Sequence, residues 1–411
     1  MWKVVPIREL KPALAVILGT RPEIIKLAPV LRALRKSTLR AFVIYTGQHY
    51  SPSLGSEIFQ DLRLPAPEWN HFQCKSRHHG EQTGMMLCHV ERVLLEERPR
   101  WVLVQGDVNS TLAGALAAKK LGMQVAHLEA GLRSFDPRMP EEHNRIMVDH
   151  ISDLLFAPTP AAARQLLREN VRGTVHMVGN TIVDSVLANR QRARKSKILV
   201  RLGLQPDQPF FLFTLHRQEN LENPENLHLL AEILRRVLQE FRLPIVFPIH
   251  PGTQHRLEHA KQLSGLRQLP ALKLIPPLRY LDFLRLLETC RLVFTDSGGV
   301  QEEACILKVP AVTLRESTER PETLEVGSNE LAGLDPEHVL CAAWRMLCQP
   351  RHWVNPFGDG RTGIRVVRIL KQEMERGILA TASPHMPVDK VRGDLQQAFW
   401  SACARQEASL P

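Results

Sequence analysis

Long apolar runs, paired cysteines and acidic metal-type motifs are all missing from this sequence. No apolar stretch reaches the ~18 to 20 residues that cross a bilayer, and the short one near the start is broken by Arg8, Glu9, Lys11 and Pro12. Neither a membrane span nor a signal peptide is therefore expected. The seven cysteines are scattered, odd in number and never in a C-x-x-C pair, which argues against a disulfide framework and a structural zinc site and points to a reducing cytoplasm. Aromatics make up only 6% of the chain, and its formal net charge is +10. Basic residues are thinly spread apart from stretches 190–197 and 32–40, so no stacking platform interleaved with arginine is present. That charge is read as suiting a small anionic ligand, with no nucleic-acid or membrane partner.

What is there is the composition of a globular protein, 44% hydrophobic and 23% charged. Its 411 residues exceed what one hydrophobic core organises, so two domains are expected. Short β-branched and aromatic runs at 13–18, 41–45, 101–104, 124–127 and 154–157 leave room between them for helices. The alternation restarts at 210–215, 245–249, 272–275, 291–295 and 310–314. Stretches 23–35, 111–121, 161–169 and 226–240 carry apolar residues at helical spacing, several after Pro, Ser, Thr or Asn. The fold class is α/β, with two successive Rossmann-like parallel-sheet domains. Charged residues 189–197 separate the two series as a linker, either helix or loop. The expected boundaries are 1–190 and 191–365, then a helix at 366–376 and a loosely ordered tail at 377–411 with one amphipathic turn at 395–400.

In open parallel sheets ligands bind beyond the carboxyl ends of the strands, and polar motifs gather there. The first series ends its strands in Gly19-Thr20-Arg21-Pro22-Glu23, Thr46-Gly47-Gln48-His49, Gln105-Gly106-Asp107 and Glu129-Ala130-Gly131. The second ends its strands in His216-Arg217, His250-Pro251-Gly252 and Asp296-Ser297-Gly298-Gly299. In the last, a buried strand turns through two glycines into a helix whose first N–H groups can hold a phosphate at its positive dipole end. Arg21 and Lys26, cations in the first turns of a helix, fit there best beside an anion. With no D-x-D motif, protein cations and helix dipoles are expected to hold the phosphates, without a metal or other cofactor. The histidine groups His78-His79 and His250, His255, His259 lack carboxylate or cysteine partners and are read as surface residues. Asp107, Glu129 and Glu141 are the general acid/base candidates.

In order and spacing, these motifs, with Pro140-Glu141-Glu142-His143-Asn144-Arg145, Gly179-Asn180-Thr181, His216-Arg217-Gln218-Glu219-Asn220, Val300-Gln301-Glu302-Glu303 and Thr318-Glu319-Arg320-Pro321-Glu322, resemble the non-hydrolysing UDP-N-acetylglucosamine 2-epimerases over residues 12–372. The resemblance implies a glycosyltransferase-B-like architecture with an interdomain cleft and a final helix near 362–376. It implies a homodimer acting on a UDP-sugar, of the kind that supplies cell-envelope polysaccharides. It further implies that Arg21, Lys26, Arg145, Ser297, Gly298, Gly299 and Arg320 contact the nucleotide or its phosphates. Glu303 would take the ribose, Phe283 would lie by the uracil, His216 near the diphosphate, and Asp107, Glu129 and Glu141 around the sugar. One departure concerns regulation: relatives activated by their own substrate carry a second glutamine after the Gln-His pair and a later Arg-Gln pair. Here Gln48-His49 runs into Tyr50-Ser51, and residues 75–83 read Lys-Ser-Arg-His-His-Gly-Glu-Gln-Thr. A UDP-sugar glycosyltransferase of the same architecture, a hydrolysing epimerase, an epimerase of a modified UDP-sugar and an idle sensor are the rival readings.

Overall fold

The computed structural model describes residues 13–47, 56–70, 74, 76, 78–205 and 207–382. The activator-type residues Gln48, His49, Tyr50, Ser51, Lys75 and Arg77, and the turn at 395–400, lie outside these.

The first half alternates strand and helix as the apolar runs demand: β1 (Leu14–Leu18), α1 (Arg21–Arg35), β2 (Ala41–Tyr45), α2 (Ser56–Asp61), α3 (His79–Glu97), β3 (Trp101–Gln105), α4 (Asn109–Lys120) and β4 (Gln124–Leu128). It continues through α5 (Pro140–Ile151), β5 (Leu154–Ala157), α6 (Pro160–Arg168), β6 (Thr174–Met177) and α7 (Thr181–Ala193). The second half runs α8 (Ile198–Arg201), β7 (Phe211–Thr214), α9 (Gln218–Leu221), α10 (Pro224–Phe241), β8 (Ile245–Pro248), α11 (Pro251–His259), α12 (Leu263–Arg267) and β9 (Leu272–Ile275). Then come α13 (Tyr280–Thr289), β10 (Leu292–Thr295), α14 (Gly298–Leu307), β11 (Ala311–Thr313), α15 (Pro321–Glu325), β12 (Asn329–Leu331), α16 (Pro336–Cys348) and α17 (Thr362–Ala382). The charged stretch 189–197 starts as the end of α7 and leaves the helix after Ala193, and α17 continues six residues past Arg376, the last residue of the expected helix.

The strands form two six-stranded parallel sheets, ordered β2-β1-β3-β4-β5-β6 and β12-β11-β10-β7-β8-β9. The direction of winding reverses between β1 and β3 in the first sheet and between β7 and β10 in the second, and a crevice opens at such switch points. Chain order thus puts Gly19 and Gly106-Asp107 at one crevice, and His216 and Ser297-Gly298-Gly299 at the other. Each sheet buries its own core: Ile17, Val102, Val104 and Val125 in the first, Phe211, Phe213, Phe294 and Leu234 in the second. Phe294 is fully buried, and its truncation to alanine costs ~3 to 5 kcal/mol. Strands β6 and β12 escape the apolar-run reading because they are edges: Thr174 and Met177 are exposed, and β12 is three residues long. An edge strand has no need to be apolar on both faces.

The described residues up to Val367 form one compact unit that holds both sheets; those from Arg368 onward belong to a second. Within the first unit, the opening turn of α17 docks on α7, where Asp184 accepts from Thr362 N and Gly363 N at 3.2 and 3.0 Å.

Candidate functional site

Helices α1 and α14 leave their strands at equivalent places but end differently. At α1, Thr20 caps the helix and Glu23 reaches back, its Oε2 accepting from Gly19 N at 2.9 Å and Thr20 N at 2.8 Å; Pro22 has no N–H to satisfy. At α14 the N-cap residue Ser297 makes no side-chain cap bond, and the first intrahelical donor is Gln301 N, to Ser297 O. Among the described residues no side chain caps this end, so the donors of Gly298, Gly299 and Val300 face a site suited to an anion.

A cavity of about 250 Å³ lies at that end, lined by Arg21, Lys26, His216, His250, Tyr280, Phe283, Ser297, Gly299 and Glu303 among others. His216 is oriented by buried Asp296, whose Oδ1 lies 3.2 Å from its Nδ1, leaving Nε2 for a ligand. Burial pushes Asp296 up, but His216 and the backbone donor of Arg217 outweigh it and hold it low. Burial pushes the Glu303 carboxyl up to about 7, beside the buried Tyr280. Burial also lowers Arg21, whose guanidinium donates to Leu278 O at 2.7 Å. His250, read from sequence as a surface histidine, stands on the cavity's rim, capping α11 and lowered by burial and by neighbouring His216. His255 and His259 pack on each other away from this lining. No group of three metal-ligating side chains occurs among the described residues.

Behind this wall lies a cluster of buried ion pairs. Lys26 joins the two regions, its Nζ 2.5 Å from Glu129 and 3.0 Å from Glu302. Burial would lower Lys26, but those carboxylates outweigh it and hold it protonated. Glu129 also accepts from Gln105 and from Asn180 at 3.3 Å. Its backbone is left-handed, with φ 68°, a conformation that costs a non-glycine residue ~1 kcal/mol or more and is held here by these partners. Asp107 pairs with Arg145 at 2.5 Å; burial raises it, but Arg145 and Arg217 bring it below the usual carboxylate range. Glu141 meets Arg217 at 3.2 Å, while adjacent Glu142 caps the Ser134-Phe135 backbone and holds Arg145 at 2.7 Å.

The cavity thus gathers Arg21, Lys26, Phe283, His216, Ser297, Gly299 and Glu303. Asp107, Glu129, Glu141, Arg145 and Arg320 stand in the adjoining cluster. Arg145 and Arg320 do not line the cavity; both guanidiniums are buried and occupied by carboxylates, Arg320 with Glu302 and, at 3.8 Å, Glu129, because a buried guanidinium requires such partners. Gly298 faces the cluster too, its α-hydrogen against Glu319.

Residues beyond the sequence-based candidates matter as well: Glu302, Glu319, Arg217, Asn180, Gln105 and Tyr280. Glu302 carried a signal, since two adjacent acids amid Val300, Ala304, Cys305 and Ile306 in α14 imply a polar partner inside the core.

The two parallel sheets and their strand-end loops define a glycosyltransferase-B-like protein, with an uncapped helix end at a switch point. A trehalose 6-phosphate synthase from Burkholderia multivorans shares this fold at a TM-score of 0.57 and 11% identity, covering 92% of this chain and all of that one. Residues 32–371 match the UDP-N-acetylglucosamine 2-epimerase family model, and the chain belongs to that family. The Methanocaldococcus jannaschii protein named UDP-N-acetylglucosamine 2-epimerase is 50% identical over 360 residues, 87% of this chain and 98% of that one. The crystal structure of Methanocaldococcus jannaschii UDP-GlcNAc 2-epimerase in complex with UDP-GlcNAc and UDP has a TM-score of 0.84 to this chain, covering 87% of this chain and 99% of that one at 49% identity. A Pseudomonas aeruginosa protein named UDP-2,3-diacetamido-2,3-dideoxy-D-glucuronate 2-epimerase is 41% identical over 331 residues, 80% of this chain and 90% of that one.

Proposed function

We propose that this protein interconverts UDP-N-acetylglucosamine and UDP-N-acetylmannosamine, without hydrolysis, by eliminating UDP and adding it back. The observation that carries the reading is one juxtaposition: an uncapped helix end opens on a cavity, and Lys26 links that cavity to the carboxylates Glu129 and Glu302. The relatives named for this activity supply the substrate.

A carboxylate removes the C2 proton, the C1–O bond to UDP breaks, and a C1=C2 double bond remains in bound 2-acetamidoglucal. Reprotonation of C2 on the opposite face with return of UDP to C1 gives the epimer. The C2 hydrogen is barely acidic, so the step needs departing UDP to be stabilised by preorganised donors. Gly298 and Gly299 N–H groups, Arg21 and His216 fill that role, with Glu303 at the ribose and Phe283 at the uracil. Asp107, Glu129 and Glu141 handle protons at the sugar. Arg145 acts by holding Asp107, Arg320 by pairing with Glu129 and Arg217 by pairing with Glu141, and water must be excluded while the glycal exists.

The Pseudomonas aeruginosa relative favours a second reading, in which the same chemistry acts on a diacetamido uronic acid. The test is incubation with each UDP-sugar in deuterated water, followed by NMR. Deuterium at C2 of UDP-N-acetylglucosamine with formation of its manno epimer supports the first reading; exchange only in the diacetamido sugar supports the second. Release of free N-acetylmannosamine would show hydrolysis, and no exchange in any substrate would defeat both readings.

A further inference from the structure

One buried histidine lies outside the cavity yet touches the backbone that presents the carboxylates. His127, the last residue but one of β4, is fully buried. Its Nε2 lies 2.8 Å from the carbonyl oxygen of Gly106, and its Nδ1 lies 2.7 Å from Asp149 Oδ1. A carbonyl oxygen has no proton to give, so Nε2 donates. Asp149 also accepts from Arg133 at 2.7 Å and from Gly131 N at 3.1 Å. Burial pushes its carboxyl up, but His127 and Arg133 outweigh that and keep it ionised, so Nδ1 donates as well. Either neutral tautomer would set a ring lone pair against an acceptor.

The charged groups around the ring agree. Asp149 faces it from α5, and Arg133 comes from the loop after β4 and extends to Glu169 at the end of α6 at 2.6 Å, with His150 3.7 Å beyond. With Asp149 and Glu169 ionised and Arg133 protonated, a second positive charge on the ring balances the group, as burial requires.

The atoms held by this pair bracket all three carboxylates. The Gly106 carbonyl belongs to the peptide that leads into Asp107, and Gly106 has φ 74°. Gly131 N closes the turn that begins at Glu129, where φ is 68°. Asp149 lies on α5, one turn beyond Arg145 and two beyond Glu141.

We propose that His127 is a doubly protonated imidazolium which, with Asp149, positions Asp107, Glu129 and Glu141 by tying the ends of β3 and β4 to α5. It is a positioning residue, and this role rests on the epimerase reading above. Its charge is internal to the fold: it does not line the cavity, and it braces the left-handed backbone at two strand ends.

The direct test is NMR of the native protein with isotope-labelled histidine from about pH 6 to 9, where ordinary histidines lose their second proton. One ring keeping the doubly protonated signature throughout, and lost in His127→Gln, is the expected result; a neutral tautomer or an ordinary titration for that ring overturns the proposal. Kinetics supply the second readout. Asp149→Asn should lower kcat about 100-fold, as for a misplacement of catalytic groups by ~1 Å, while KM and the Kd for UDP stay within ~3-fold. An unchanged kcat, or a loss of UDP affinity matching the loss of kcat, would show a merely structural role. If Asp149→Asn does not fold, the NMR result on the native protein decides alone. Failure of the epimerase reading is seen separately, as no C2 exchange in the native protein whatever the ring's protonation.

Discussion

Helices α1 and α14 follow strands at the switch points of two similar sheets, yet one closes its own N-terminus and the other leaves it open. At α1, Thr20 and Glu23 consume the local donors, and what the helix contributes to the cavity is side-chain charge from Arg21 and Lys26. At α14, Ser297 caps nothing, and the helix contributes backbone donors through two glycines. The same structural position therefore satisfies its own donors beside one sheet and leaves them open beside the other. Substitutions that act on one end and spare the other break or sharpen this contrast.

The largest effect is expected where the two halves meet. Glu129→Gln leaves the Lys26 pairing without its charge and should lower C2 exchange by at least ~10³-fold, with the Kd for UDP within ~3-fold. Asp107→Asn should behave alike, and preserved exchange in either variant would remove that carboxylate from the chemistry.

Next is Gly298→Ala. A Cβ there would stand 2.5 Å from Glu319 Oε1, displacing a carboxylate that Arg217, Arg145 and Arg315 share. Overpacking and a disturbed ion cluster should together cost ~2 to 3 kcal/mol in urea denaturation; an unchanged midpoint would show that Glu319 can give way.

A pH comparison follows. Burial pushes Glu23 in α1 and Glu303 in α14 up to about 7 from 4.5. A raised carboxyl pKa means that the folded state holds the proton more tightly, so this contribution to stability is present below about 4.5 and is lost as pH rises through about 7. Glu23→Gln and Glu303→Gln should each flatten that decline by roughly 2 to 3 kcal/mol between pH ~5 and ~8. Parallel curves for wild type and variant would contradict it.

The smallest effects are the caps themselves. Thr20→Ala removes a capping box and should cost ~1 kcal/mol, whereas Ser297→Ala removes no cap bond and should stay within ~0.5 kcal/mol in thermal melts. Equal losses would erase the distinction between the two ends.

Much of this was legible from residue order alone. Ten of the twelve strands, the edges β2 and β9 among them, announced themselves by apolar runs such as Phe211–Thr214, and the strand-end motifs located both crevices. The edges β6 and β12 did not, because half-exposed strands need no such runs. Within the site, Ser297, Gly299 and Arg21 could be named from glycine and helix-end logic, and Glu303 from the family resemblance. The partners Glu302, Glu319 and Arg217 could not be assigned, since sequence spacing carries no record of which charges face each other across a cleft. Neighbours with opposite duties were also beyond it: Glu141 faces Arg217 while Glu142 caps a turn, a difference set by the rotation of α5 and by nothing in the letters.

The central claim is that the open end of α14, and not that of α1, anchors the nucleotide's phosphates. Gly299 tests it most directly, because a Cβ there would meet only Ser297 Oγ at 3.9 Å and so disturb no protein packing, while projecting where a phosphate would approach. Calorimetric titration with UDP should find Gly299→Ala weakened at least ~10-fold with its melting temperature unchanged, and Thr20→Ala binding UDP as tightly as the parent. Full UDP affinity in Gly299→Ala, with the loss appearing in Thr20→Ala, would contradict the account.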